Sequence, residues 1–194
     1  MKISFVLMII AALSACKRAP KPTENALPIQ EVVAGEPLID FNSPEAGFSC
    51  RAPSFWGVPE SNFKKSDGVL FVGPRDSVKM TSPRITIHRY PESEPQYNDA
   101  QKYAETFWML DDRKGQPALE RKIFGDITAI TFHQERPNYK VHGSPKIQYM
   151  IRYDYALFPV KGGFFEIVHQ APTDSYAKTL PVFEAVVRSF RPKL

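Results

Sequence analysis

The residues able to do chemistry are few: two cysteines, Cys16 and Cys50, and four histidines, His88, His133, His142 and His169. No two histidines fall at i, i+2 or i, i+4, so no local zinc site is spelled out. There is no Gly-rich phosphate loop, no H-E-x-x-H and no G-x-S-x-G. Asp111-Asp112 could be a carboxylate pair for acid–base work, but Arg113-Lys114-Gly115 follows, and the run reads more simply as the exposed end of a helix and its turn. His169 shares strand parity with Phe165 and Ile167 and is expected to be a satisfied, half-buried histidine. His88 has the parity of Thr86 and Tyr90 and is expected to face solvent. His142, beside Gly143, sits in a loop. No catalytic, cofactor-binding or metal-ligating set emerges. A hydrolase would need His133 or His169 to meet a carboxylate and a hydroxyl from distant parts of the chain.

Cys16 stands apart. Met1-Lys2 is followed by an apolar run from Ile3 to Leu13 broken only by Ser4. That run is shorter than the ~20 residues of a spanning helix and suits the h-region of a secretory signal peptide. It ends in Leu13-Ser14-Ala15-Cys16, which closely resembles the lipobox of bacterial lipoproteins. The resemblance implies that Leu13, Ser14 and Ala15 are read by the signal peptidase, that residues 1–15 are removed, and that the Cys16 thiol carries lipid. One acyl chain holds a protein to a bilayer only marginally, whereas two or three make a lasting anchor. By the same resemblance, Lys17 in place of Asp after the cysteine implies the periplasmic face of the outer membrane, or otherwise the outer face of the cytoplasmic membrane. Cys50 is then the remaining thiol. It shares parity with Phe48 and is expected to be buried and unreactive.

The composition, 43% hydrophobic and 24% charged, is that of a folded soluble protein. The formal net charge is +4, but its placement matters more. Lys2, Lys17, Arg18, Lys21 and Glu24 precede Leu27, leaving 21 basic and 20 acidic residues beyond it. The folded part is nearly neutral, which argues against nucleic acid as a partner. Residues 16–37 contain Pro20, Pro22, Pro28 and Pro37 and read as a semi-rigid tether, whose Lys17, Arg18 and Lys21 suit anionic headgroups. Ile29, Val32 and Val33 could make a short strand near its end. Residues 38–194 read as one domain.

Within that domain, Leu38–Phe41 and Phe48–Arg51 read as strands around Ser43–Gly47. Val69–Val72, apolar throughout, suits a strand covered on both faces. Ile85–His88 alternates. Ala100, Tyr103, Ala104, Phe107 and Leu110 form one helical stripe over 98–110, with Asn98 as its cap. Arg121–Phe124 and Ile127–Gln134 read as strands. From Ile147 to Leu157 apolar residues take every second position for eleven residues, a period only a strand produces. A hairpin at Pro159–Gly163 leads into Phe164–Ala171. At the end, Tyr176, Leu180, Phe183, Val187 and Phe190 share a helical face. Asp174 is the expected cap, and Pro181 is expected to start the main helix after a short turn. The order of elements argues α+β with an antiparallel sheet.

Phe48-Ser49-Cys50-Arg51-Ala52-Pro53-Ser54-Phe55-Trp56 resembles the G-[FY]-x-x-x-x-P-x-x-W opening of PsbP-like domains. The ending is also similar, with Phe164 to Ala171-Pro172 and a terminal helix finishing in Ser189-Phe190. This resemblance implies an α-β-α sandwich around a central antiparallel sheet, with the terminal helix packed on it. It also implies a non-enzymatic role in which the domain binds a protein, here an unidentified envelope protein, with no cofactor. The irregular segments Gly73–Pro83 and Arg136–Pro145 are the expected recognition loops. Phe55, Trp56 and Trp108 read more simply as core and loop anchors; were the domain instead a small-ligand binder, they would line an apolar pocket near Trp56.

Overall fold

The computed structural model of the chain describes residues 32–33, 35–58, 67–94, 99–109, 119–139 and 146–193. The elements in order are β1 (Val32–Val33), β2 (Glu36–Ser43), β3 (Phe48–Pro53), β4 (Gly68–Val72), β5 (Arg84–Pro91), α1 (Ala100–Met109), β6 (Glu120–Phe124), β7 (Ile127–Tyr139), β8 (Ile147–Val160), β9 (Gly163–Pro172), α2 (Tyr176–Ser189) and β10 (Arg191–Pro192). A six-stranded sheet runs β4-β5-β9-β8-β7-β6, a four-stranded one β1-β2-β3-β10, and every pairing is antiparallel.

Strand alternation splits the large sheet into two apolar faces. Ile130, Phe132, Tyr155, Leu157 and Phe164 pack beneath Ala100, Tyr103 and Ala104 of α1. Ile85, Ile87, Ala156, Phe158, Phe165 and Ile167 pack against Val182, Phe183, Val186 and Val187 of α2, and against Phe48, Cys50 and Ala52 of the small sheet. The sandwich is therefore α1, large sheet, then α2 with the small sheet, which is the expected α+β arrangement. Phe190 fixes the second interface, its ring 5.6, 4.9 and 5.3 Å from those of Phe48, Phe158 and Phe165.

Several local expectations are corrected. The α1 cap is Asp99, whose carboxylate accepts from Lys102 N at 2.8 Å; Asn98 lies outside the described residues. Asp174 does not cap α2 but pairs with Lys79, and Ser175 holds the N-cap position. Pro181 lies inside one continuous helix. A proline there loses a backbone bond at about 3 kcal/mol, offset by burial of Tyr176, Val182 and Phe183 on either side of it. The segment 136–145 is not all loop, because β7 continues to Tyr139 through a register shift at Asn138/Tyr139. β4 is an edge strand: Val69 and Phe71 are buried while Leu70 and Val72 are only half-buried. No helix among the described residues is long and apolar enough to cross a membrane.

Candidate functional site

Cross-strand register builds a polar row on the α2 face. His133 of β7 stands opposite Asp154 of β8, and Asp154 stands opposite His169 of β9. Arg152, two residues back on β8, points to the same face. Its Nη2 donates to Asp154 Oδ1 at 3.3 Å, and its guanidinium lies 4.4 Å from the centre of the Tyr176 ring on α2. His169 is fully buried, with its ring stacked 5.5 Å from Phe183. Its Nε2 shares a hydrogen bond with Thr179 Oγ1 at 2.9 Å, and its Nδ1 lies 4.0 Å from Asp154 Oδ2.

Burial pushes His169 down to about 4, Arg152 adding to the effect and Asp154 opposing it, so the ring is neutral at pH 7. Burial likewise lowers His133. Burial first, then a hydrogen bond with the Asp154 carboxylate, raises the Tyr176 hydroxyl.

Seven buried side-chain polar atoms among the described residues make no well-formed hydrogen bond within the protein, and five stand close together here: Thr131 Oγ1, Arg152 Nε, Asp154 Oδ2, His169 Nδ1 and Tyr176 Oη, the last still within reach of Asp154 and Arg152. Such atoms each cost roughly 1–3 kcal/mol, and clustering them is a pattern of functional rather than structural sites.

The row closes one end of a groove of about 480 Å³ between α2 and strands β6 to β8. Its floor is small, Thr131 and Ala156, which is why space remains. One wall is Glu120, Lys122 and Phe124 of edge strand β6; the other is Leu180, Phe183, Glu184, Val187 and Arg188 of α2. The rim charges are internally paired, Lys122 with Glu120 at 2.9 Å and Arg188 with Glu184 at 2.6 Å. The groove thus presents apolar walls, a neutral rim and a hydrogen-bonding end, the usual make-up of a small-molecule or side-chain pocket.

No family model and no curated protein matches the chain. Solved structures do. A crystal structure of a protein from Bacteroides thetaiotaomicron VPI-5482 shares the fold with TM-score 0.53 at 15% identity, the alignment covering 80% of this chain and 48% of that one. This chain therefore spans about half the length of that protein. LpqN of Mycobacterium tuberculosis, described as involved in cell envelope biogenesis, aligns with TM-score 0.49 and 14% identity over 81% of this chain and 91% of its own. Cyanobacterial PsbP (CyanoP) from Synechocystis sp. PCC 6803 aligns with TM-score 0.47 and 14% identity over 89% and 99%.

The sequence-predicted residues are distributed as follows. Leu13, Ser14, Ala15 and Cys16 lie outside the described residues, as do Asp111, Asp112 and His142 and the side chain of Trp108. Cys50 is buried, and burial pushes its thiol up to about 12, so it is no nucleophile at neutral pH. Trp56 is the core anchor that the simpler reading expects, 4% exposed and packed where a Gly73 Cβ would be, so the alternative pocket there is filled, while Phe55 points outward. His169 is more deeply buried than expected. His88, half-buried rather than solvent-facing, stacks 4.4 Å from Tyr90. Among the described residues no cluster of His, Cys, Asp or Glu could hold a metal ion.

Sequence reasoning missed Arg152, Asp154 and Tyr176. The signal was the polar parity of the long strand, Arg152 and Asp154 alternating with tyrosines; what it faced depended on which strands became its neighbours.

Proposed function

We propose that this chain is a lipid-anchored protein of the bacterial cell envelope that acts by binding, and that the groove between α2 and β6 holds what it binds. The observation that carries the reading is the gathering of four buried polar side chains, Thr131, Arg152, Asp154 and Tyr176, on the floor and at one end of the groove, with Thr131 Oγ1, Arg152 Nε and Asp154 Oδ2 short of a well-formed hydrogen bond within the protein. A groove with apolar walls and matched donors and acceptors selects an amphiphilic group, such as a side chain of an envelope protein. The lipobox Leu13-Ser14-Ala15-Cys16 supports the envelope location.

The line Asp154–His169–Thr179 has the order of a hydrolytic relay but not its setting. His169 and Thr179 do not line the groove, the Thr179 hydroxyl also reaches the Tyr176 carbonyl at 3.3 Å, and the gap of 4.0 Å between His169 and Asp154 exceeds a hydrogen bond. Binding accounts for the site without asking a buried neutral ring to meet substrate.

Two measurements test the proposal. Cells fed an alkyne fatty acid should label the protein and fail to label Cys16→Ala. A benzophenone amino acid at Leu180 should crosslink an envelope component, one at the remote Glu45 should not, and Thr131→Trp, which fills the floor, should abolish the adduct. A Leu180 probe that captures nothing at any expression level overturns the binding role.

A further inference from the structure

Strand direction gathers the exposed apolar side chains at one end of the molecule. Val72 at the end of β4 pairs with Arg84 at the start of β5, Arg84 with Gln170 near the end of β9, Pro172 with Ile151 of β8, and Ile147, four residues farther out on β8, with Tyr139 at the end of β7, so all lie toward one end of the sheet. Gly57 joins the same end by pairing with Val72. Of the eight large hydrophobic side chains exposed among the described residues, six stand here: Phe55, Val58, Val78, Met80, Tyr139 and Ile147. Val78 is 87% and Phe55 77% exposed. With neighbouring strands ~4.8 Å apart, the row spans roughly 20 Å from β4 to β7.

The middle of the row is built, not incidental. Asp76 and Thr81 pair backbone to backbone, and the Asp76 carboxylate accepts from Val78 N at 2.8 Å and Lys79 N at 3.0 Å. Lys79 is tied to Asp174, which fixes the turn over the end of β9. Met80 has φ +56, a conformation uncommon for a side-chain-bearing residue. The turn thus holds Val78 and Met80 out to solvent, a loss unless something covers them.

The same end receives the N-terminal chain, since Val32 pairs with Pro37 at the start of β2. Fifteen residues lie between Cys16 and Val32, a reach of at most roughly 55 Å, so a lipid on Cys16 keeps this end close to the bilayer at high effective concentration. Arg75, Arg84 and Lys178 are exposed around the row, suiting anionic headgroups.

We infer that the end carrying Phe55, Val58, Val78, Met80, Tyr139 and Ile147 rests on the surface of the membrane in which Cys16 is anchored, leaving the α2–β6 groove open to the side. This rests on the lipid-anchor reading above. The test reconstitutes the acylated full chain in phosphatidylethanolamine–phosphatidylglycerol vesicles bearing doxyl-labelled lipid. Fluorophores are placed singly at Val78→Cys and Ile147→Cys, and at Glu45→Cys and Asp126→Cys at the opposite end. Lipid quenching should be several-fold stronger at the first pair, and Phe55→Ser/Met80→Ser, with unchanged circular dichroism, should erase the difference. Equal quenching at both ends of acylated protein overturns the inference, as does a Val78 probe that crosslinks an envelope protein without being quenched. Absence of acyl mass on Cys16 instead overturns the anchor. The surface is then read by flotation of the unacylated chain on the same vesicles: flotation sensitive to Phe55→Ser/Met80→Ser supports it and none overturns it.

Discussion

The Tyr103 hydroxyl, carried by α1, donates to Glu166 Oε1 on β9 at 2.5 Å. Tyr90 reaches the other oxygen at 3.4 Å. This pair lies on the face of the sheet opposite the groove and joins α1 to β9 through a buried acid.

Burial pushes Glu166 up to about 7 from its ordinary 4.5, the two tyrosine hydrogen bonds opposing the shift. The folded state holds this proton more tightly than the unfolded chain. The contribution is therefore fully present below pH 4.5 and is lost as pH rises to about 7. Because His169 titrates with the opposite sign over pH 4.5 to 6.5, Glu166→Gln should leave stability rising with pH there in urea melts taken across pH. Tyr103→Phe removes a donor that favours the ionised form, so it should cost roughly 1–3 kcal/mol at neutral pH and extend the limb upward. A Glu166→Gln profile that keeps the wild-type slope would place the titration elsewhere.

His169 has the opposite sign. Its proton affinity is depressed from 6.5 to about 4 by burial, so the unfolded chain binds the proton first. Its contribution is present above pH 6.5 and lost as pH falls toward 4. Between pH 4.5 and 6.5 the two residues oppose one another, and wild-type stability should vary little from these groups. His169→Phe, which keeps a ring against Phe183, should leave Glu166's trend exposed, with stability rising as pH falls. Asp154 and Arg152 are the charges facing this ring, so Asp154→Asn should deepen the depression.

Periodicity made the fold class and most elements legible. Alternation from Ile147 to Leu157 could only be a strand, and Ala100, Tyr103 and Ala104 could only be one face of a helix. Pro181 misled because helix propensity is local, whereas the burial that overrides it comes from the sheet beneath. The site was legible only in part. Arg152 and Asp154 were visible as polar residues on a long strand, but the row with His133 and His169 exists only once β7, β8 and β9 are placed side by side. Trp56 reads more simply as an anchor than as a groove wall, and its packing against Gly73 makes it a plug; the groove between α2 and β6 had no signal in the sequence.

That plug gives a third prediction. A Cβ on Gly73 would lie 2.8 Å from Trp56 Cε2 and 2.8 Å from Pro83 Cγ. Gly73→Ala should destabilise by roughly 1–3 kcal/mol through overpacking. Trp56→Phe frees space at the same point, so the double variant should lose less than the two single losses together in thermal melts. Additive losses would show that the ring and the glycine do not compete for this space.

Cys50 should behave as a hydrocarbon. With its thiol pushed up to about 12 by burial, maleimide should label it only at the rate of unfolding, and labelling should track urea concentration through the transition. Rapid labelling of folded protein would mean that the interface between the small sheet and α2 opens without unfolding.

The groove makes the sharpest demand, because it sets stability against binding. Thr131 Oγ1 is buried without a partner in the protein, whereas the Tyr176 hydroxyl faces Asp154 and Arg152. If the Thr131 hydroxyl serves an occupant, the free protein carries it at a loss. Thr131→Val keeps the branched shape and removes that hydroxyl, so it should stabilise the unoccupied protein by about 1 kcal/mol. Tyr176→Phe keeps the ring beneath Arg152 but removes a hydroxyl that faces Asp154, so it should cost stability instead. Both should weaken the adduct formed from Leu180. A structural role for Thr131 predicts the reverse pairing: lost stability with crosslinking unchanged. The two readings thus differ in the sign of a melting shift, which calorimetry resolves without knowledge of what the groove holds.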